Sequence, residues 1–455
     1  MDRAPRPNTR PPPSRTPALR ALAPELLELC AHLEARGVHA WLQGEGLLEA
    51  LRDAGPRSST PSGAITHTLV CRATPEALLH ALPRAIVTAE RGLRLTQPTP
   101  AGPIDLIPGG ATGIGSVLRA FGLSAYAIGF RCADDSWADP ADALALTRSG
   151  RLDVVLPAPD PPGASDGAAA TAATAAPVLA EAPRRYWIAA RLLSEHALEP
   201  TPRLLAAARE GLPRALEHVP EGAPARRALA RVLAAPRPEA GLRFLRECGL
   251  TPALFPDLDP RNEPRVAALP AIDSLRWAVW LRGTSLTSAL VRLRVPHALA
   301  RRIERLQAVH PVDQGASLMR EAGLRRLLGR VGAEELDGLF AWRRLELAEE
   351  PASEGRSARE ARLEALEARV AEARVARERT GRMRRLALDG HAVMTILGAG
   401  PGPHVGRALA HLARHVETHP EDNDRARLRA LVLEWAQKNA EALRRRASTG
   451  RDPIR

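Results

Sequence analysis

A chain of 455 residues with 45% hydrophobic content is long enough for roughly three domains of about 100–200 residues each, which excludes a minimal scaffold. Only 3% of residues are aromatic, so the cores must be built from Leu, Ala and Val, and the long Ala/Leu/Arg/Glu runs favour helix. The net charge of +12 suits a polyanionic partner, but Lys438 is the sole lysine, so the arginine excess also reads as compositional bias.

Residues 1–17 are Arg/Pro-rich and cannot bury apolar surface, so a disordered tail is expected. Leucines at helical spacing predict an amphipathic helix over 18–37. Next comes VHAWLQGEGLLEALRD, a strand, a glycine turn and a helix; a Pro/Ser/Gly connector then leads to AITHTLVCRATPEA, a second strand closed by Thr74-Pro75 at the start of another helix. Further β-like runs fall at 85–88, 93–96 and 104–107, with LSAYAIGFR at 123–131 alternating weakly and 152–156 apolar and β-branched. Residues 157–178 are low in complexity and read as a linker.

Everything after the linker has three-and-four apolar spacing, punctuated by Pro or Gly. Residues 357–379 are almost all Ala, Arg and Glu and predict a charged surface helix with pairs at four-residue spacing. The last unit, LALDGHAVMTILGAGPGPHVGRALAHL at 386–412, reads as helix, Gly/Pro turn, helix. The prolines of the 398–406 turn remove N–H donors that a phosphate loop needs, so that turn is taken as structural. His411, His415 and His419 share one helix face, where a solvated surface is expected rather than a metal site. Cys30, Cys71, Cys132 and Cys248 lie far apart without metal or disulfide spacing, and no run of about 18 apolar residues or leader-like start appears, so a cytoplasmic protein without membrane contact is expected.

These blocks, in their order over almost the whole chain, resemble the bacterial tRNA nucleotidyltransferase and poly(A) polymerase family that includes CCA-adding enzymes. The resemblance implies an α+β fold: a nucleotidyltransferase-like α/β head at 18–156, then, beyond the linker, an all-α neck (179–268), body (269–382) and tail (383–447), with a flexible end at 448–455. It also locates where the family's chemistry would sit. Of the family's GG pair, Gly44 remains as a nucleotide-binding position while Glu45 replaces the second glycine. The following RD pair falls on Leu48 and Glu49, and Arg52-Asp53 come four residues late.

The two metal-binding carboxylates of D-x-D align with Thr66 and Thr68 around His67, and a third acidic position survives as Asp105. Hydroxyls are poor substitutes for carboxylates around two Mg²⁺ ions. The block RDFTINAL is echoed by FGLSAYAI, with Phe121 and Gly122 at its charged pair; in E-D-x-x-R the arginine is kept at Arg185, with Ala182 in place of the aspartate, leaving a local pair or nucleotide contact as readings of Arg185. Near Ala223-Pro224 the neck's usual ER pair is missing. Structural blocks persist, in CGLTPALFPDL at 248–258 and in the tail turn, where His404 and Arg407 become the resemblance's RNA phosphate contacts.

The resemblance therefore implies an RNA-binding, tRNA-related pseudoenzyme that needs no cofactor. Two alternatives stand beside it. One is an active Mg²⁺-dependent nucleotidyl- or adenylyltransferase using Glu45, Glu49 and Asp105; the other is a protein-interaction scaffold with no RNA role.

Overall fold

Alternation of apolar and polar residues in the first third of the chain builds one seven-stranded mixed sheet. The structure, a computed structural model, describes residues 24–51, 67–89, 93–110, 113–157, 175–314, 321–383 and 386–439. Thr66, Arg52, Asp53, the tail at 1–17, most of the linker and the end at 448–455 lie outside the described residues. Helix α1 (Pro24–Glu34) leads into β1 (Ala40–Gln43), α2 (Glu45–Leu51) and β2 (His67–Cys71). Then follow α3 (Pro75–Ala81), β3 (Ile86–Ala89), β4 (Leu93–Thr99), β5 (Gly102–Pro108), α4 (Ile114–Arg119), β6 (Gly129–Arg131), β7 (Ser136–Ala138), α5 (Ala143–Arg148) and β8 (Arg151–Leu152).

Strand order is β3-β4-β5-β2-β1-β6-β7, with only β2 and β5 parallel within this sheet. Register aligns Leu42, Leu69, Leu106 and Leu95 in one row, and all four are fully buried against α1 and α3 residues such as Leu33 and Leu78. Each such burial contributes about 1.5–3 kcal/mol, which fixes register, since a slip of one residue would turn the row outward. Helix α3 starts where Thr74-Pro75 predicts it: the Thr74 hydroxyl accepts from the Ala77 N–H at 3.3 Å, and proline holds the first helical position.

Two expected strands are shorter than the pattern indicated. Residues 124–126 form a single 3₁₀ turn before β6, and beyond Leu152 there is only one bridge, Leu123 to Val154. Strand pairing stops at Asp153, whose backbone bonds Ser124 and whose carboxylate accepts from the Thr201 hydroxyl at 2.6 Å, while Arg151–Leu152 pair with residues 199–200 and not with this sheet.

The helical part begins with α6 (Ala176–Ala180) and α7 (Arg184–Glu195). A short β9 (Glu199–Pro200), paired with β8, precedes α8 (Pro202–Ala215), α9 (Ala223–Ala234) and α10 (Pro238–Glu247). Helices continue through Arg425–Lys438, including a single helix Glu354–Met383 over the charged stretch. Packing divides the chain into two units: one runs to Pro311 and takes in Asp337–Glu346, and the other comprises Val312–Leu336 and the chain from Leu347. In the second unit, Asp389 caps Gly390–Leu397 by accepting from the Ala392 N–H at 2.8 Å, which accounts for the Asp-Gly pair. Gly398, at φ +58°, ends that helix in the left-handed conformation, as the glycine turn predicted.

A charged clamp closes the far side of the sheet. Arg131, at the end of β6, donates to both oxygens of Glu34 on α1 at 2.9 and 2.7 Å, and His39 joins the same carboxylate at 2.9 Å. The Arg131 hydrogen bonds hold the Glu34 carboxyl down at about 2, against an ordinary value of 4.5. A depressed carboxylate stabilises the fold above its unfolded value and ceases to do so as pH falls through its folded value. Thermal melts from pH 5 to pH 2 are therefore expected to show a stability loss below about 4.5 that is flattened in Arg131→Leu; an unchanged acid profile in that variant contradicts the clamp.

Candidate functional site

Two of the site residues named from the sequence, Thr68 and Asp105, lie on one face of the sheet. Register sets Gln43 of β1, Thr68 of β2, Asp105 of β5 and Thr96 of β4 side by side. Gln43 is buried and donates from Nε2 to the Tyr126 carbonyl at 2.9 Å. Asp105 is thus the direct neighbour of Thr68, where a third carboxylate would complete a D-x-D site. Its own oxygens are already engaged: Oδ1 accepts from the Thr96 hydroxyl at 2.9 Å and Oδ2 from Arg94 at 3.2 Å.

Strand alternation turns His67 away from Thr68. Its ring lies over Gly46, where an added Cβ would come within 2.3 Å of Nδ1. Burial lowers the imidazole's proton affinity, and Nδ1 is buried without a hydrogen-bond partner. The second glycine of the GEG sequence is thereby explained as the seat of this ring.

Gly44 makes the turn between β1 and α2 at φ +81°, a conformation that favours glycine, and its carbonyl accepts the N–H groups of Leu47 and Leu48. Immediately after it, Glu45 points into a set of charges supplied by the neck. Arg231 of α9 donates to both Glu45 oxygens at 3.3 and 3.0 Å, and Arg191 of α7 pairs with the same carboxylate. Both arginines also meet Glu195 of α7, Arg231 at 2.8 and 3.0 Å, and Arg191 donates to the Tyr126 hydroxyl. Burial works against the Glu45 charge, but Arg191 and Arg231 outweigh it and hold the carboxyl below its ordinary value. For Glu195 burial prevails over the same arginines and the carboxyl rises. Tyr126 is pushed up to about 12 by burial.

Arg185, at the start of α7, is placed as a staple. It donates to the carbonyls of Phe121, Ala120 and Val178, with its guanidinium against Gly122. Gly122 sits at φ +77°, and an added Cβ would lie 2.7 Å from the Arg185 guanidinium carbon. The glycine at the position of a family charged pair is what admits the arginine there.

In the tail, His404 lies beside the Gly400 carbonyl at 3.1 Å, and Arg407 is exposed one turn into the helix Pro403–Thr418. Of the three-histidine face, His415 stacks on His419 at 4.8 Å and bonds the Asp422 carboxylate at 2.6 Å, a partner not apparent from spacing.

The residues present do not fit a two-Mg²⁺ centre. Thr68 offers a neutral hydroxyl, Asp105 is held by Arg94 and Thr96, Glu45 is neutralised by two arginines, and Glu49 is exposed on α2. Among the described residues, no three His, Cys, Asp or Glu side chains group as a cation site. Sequence reasoning missed Arg191, Arg231, Glu195 and Tyr126. The only local signal was the four-residue spacing of Arg191 and Glu195, which cannot show that Glu45 lies opposite.

No family model and no curated protein matches the chain. Solved structures do. The CCA-adding enzyme of Bacillus stearothermophilus in complex with CTP aligns with a TM-score of 0.55 at 17% identity, over 94% of this chain and 99% of that one. The Thermotoga maritima CCA-adding enzyme complexed with tRNA aligns at 0.53 and 13%, over 92% and 97%. A CCA-adding enzyme bound to ATP gives 0.54 at 13%, over 93% and 96%. This chain therefore has the fold of class II CCA-adding and poly(A) polymerases: an α+β head followed by helical regions.

Two substitutions test the site. Glu45→Gln is expected to destabilise the protein by about 1–3 kcal/mol, read as a lower urea midpoint; a change under about 0.5 kcal/mol would place it with ordinary surface pairs. Gly122→Ala, through its positive φ and the displaced Arg185, is expected to cost about 1–3 kcal/mol, with Arg185→Ala adding little on top of it because the two act at one contact.

Proposed function

We propose that this protein binds RNA, with tRNA-like elements as its targets, on a CCA-adding fold that has lost nucleotidyl transfer. The observation that carries this reading is Glu45. A carboxylate stands where the glycine turn would bring backbone N–H groups to a nucleotide's phosphates, and it is tied to Arg191 and Arg231. Selective replacement supports it further. Thr68 takes a carboxylate position, Asp105 is turned to local hydrogen bonds, and Ala182 stands beside an Arg185 that grips backbone, while the apolar rows and turn glycines around them are kept.

RNA binding rests on charge and placement. The chain carries +12, and exposed Arg407 lies one turn into a tail helix that the resemblance sets against RNA, with His404 one turn before it. One of the structures sharing the fold holds tRNA, in keeping with this class of ligand. Asp105 and Glu45 act within the fold, and no catalytic step is assigned to either.

Filter binding with labelled tRNA is expected to show affinity that falls steeply with salt, and Arg407→Ala to weaken it and reduce the salt slope by about 1. Negligible binding at low salt would overturn the RNA reading. In the same preparation, tRNA with Mg²⁺ and labelled CTP or ATP is expected to gain no label. Incorporation that disappears in Asp105→Asn would restore the enzyme reading.

A further inference from the structure

Residues 274–303 contain no Asp or Glu, while Arg292, Arg294, His297, Arg301 and Arg302 all fall within them. They lie on two helices of the first unit, Leu286–Arg292 and His297–Val309, and on the turn that joins these. The Val295 N–H donates to the Leu290 carbonyl and the Arg294 N–H to the Val291 carbonyl, both at 3.0 Å, a pairing that ends a helix through one left-handed residue. Glycine is the usual occupant of that position, because a side chain there crowds the backbone. Here Arg294 holds it, at φ +48°.

The surroundings are shaped to receive this arginine. At buried Gly222, just before α9, an added Cβ would lie 3.1 Å from the Arg294 Cδ and 3.3 Å from its Nε, so the missing side chain leaves a seat for the arginine stem. Arg226, in the first turn of α9, donates to the Arg294 carbonyl, and Arg292 donates to the Leu254 carbonyl at 2.9 Å. Three cations from two elements thus converge on one turn. Arg292 and Arg294 are exposed, and among the described residues no carboxylate pairs with either of them or with Arg226. Val291, beside Arg292, is 71% exposed, the barest of the large apolar side chains described.

We propose that this turn is an RNA-docking surface of the first unit, where Arg226, Arg292 and Arg294 take phosphates of the sugar–phosphate backbone and Val291 lies under a ribose. The assignment rests on the RNA binding proposed above and adds a site in a different unit from Arg407. Charge complementarity names the occupant. Guanidinium groups without a carboxylate partner suit a ligand of repeated negative charge, and their planar forks match phosphate oxygens. The seat at Gly222 holds the Arg294 stem, so less side-chain freedom is lost when the phosphate arrives. An arginine at a glycine position serves the turn poorly and the ligand well.

The test measures filter binding of labelled tRNA to the full chain across a salt series. Arg294→Gly and Arg294→Asn both suit the left-handed turn and remove the charge, and each is expected to weaken binding and reduce the salt slope by about 1. Adding Arg292→Ala to Arg294→Gly should take off about one more. Arg294→Lys, which keeps the charge, should retain the slope. Polyglutamate of equal charge should displace far less tRNA than unlabelled tRNA does. If the wild-type chain binds tRNA but both neutral Arg294 variants keep its affinity and slope, this surface is wrong and the RNA reading stands. Weaker binding at an unchanged slope would give Arg294 a purely structural role, and displacement by polyglutamate as complete as by tRNA would assign the face to an acidic protein; each overturns the proposal. A wild-type chain that binds no tRNA overturns both readings.

Discussion

Glu45 and its two arginines are the constraint around which the first unit is arranged. The carboxylate comes from the first turn of a head helix, while Arg191 and Arg231 come from two neck helices. With side-chain exposures of 23% and 14%, Glu45 and Arg191 are dry enough that neither could lose its partner cheaply. Glu195 and Tyr126 complete the cluster, so two positive and two negative groups balance around one buried hydroxyl. The head is thereby joined to α7 and α9 by directional charge as well as by packing.

The same substitution alters the surroundings of the sheet's polar row. An anion-binding glycine turn needs its N–H groups and nearby arginines free for a ligand, whereas here the chain's own carboxylate engages both arginines. Asp105 behaves in parallel, as Arg94 and Thr96 absorb the one acidic group of the row. Gly122 and Arg185 show a third case, in which the arginine grips three backbone carbonyls. In each case a polar or charged group is satisfied by partners within the fold.

Much of this architecture was legible in the residues. The Thr74-Pro75 helix start, the strand runs through 107, the helices after the linker and the Asp389-Gly390 cap all follow from local rules of capping, alternation and period, whereas the short β9 was not expected. Expectations failed where distant residues intervened: in the strand expected at 152–156 only Leu152 is paired, with Pro200, and Asp153 bonds Thr201. The site was legible only in part. Thr68 and Asp105 were named from sequence, but their adjacency rests on parallel pairing of β2 with β5.

The sequence by itself determined the element types, the apolar rows and the identity of the residues at the expected catalytic positions, because those depend on near neighbours along the chain. Tertiary structure alone decided what those residues do. Glu45 read as a carboxylate opposed to phosphate, and it became a salt-bridge centre only when residues 191 and 231 arrived beside it. Electrostatic contacts act through space over a few ångströms, and folding, not sequence distance, sets which groups come that close.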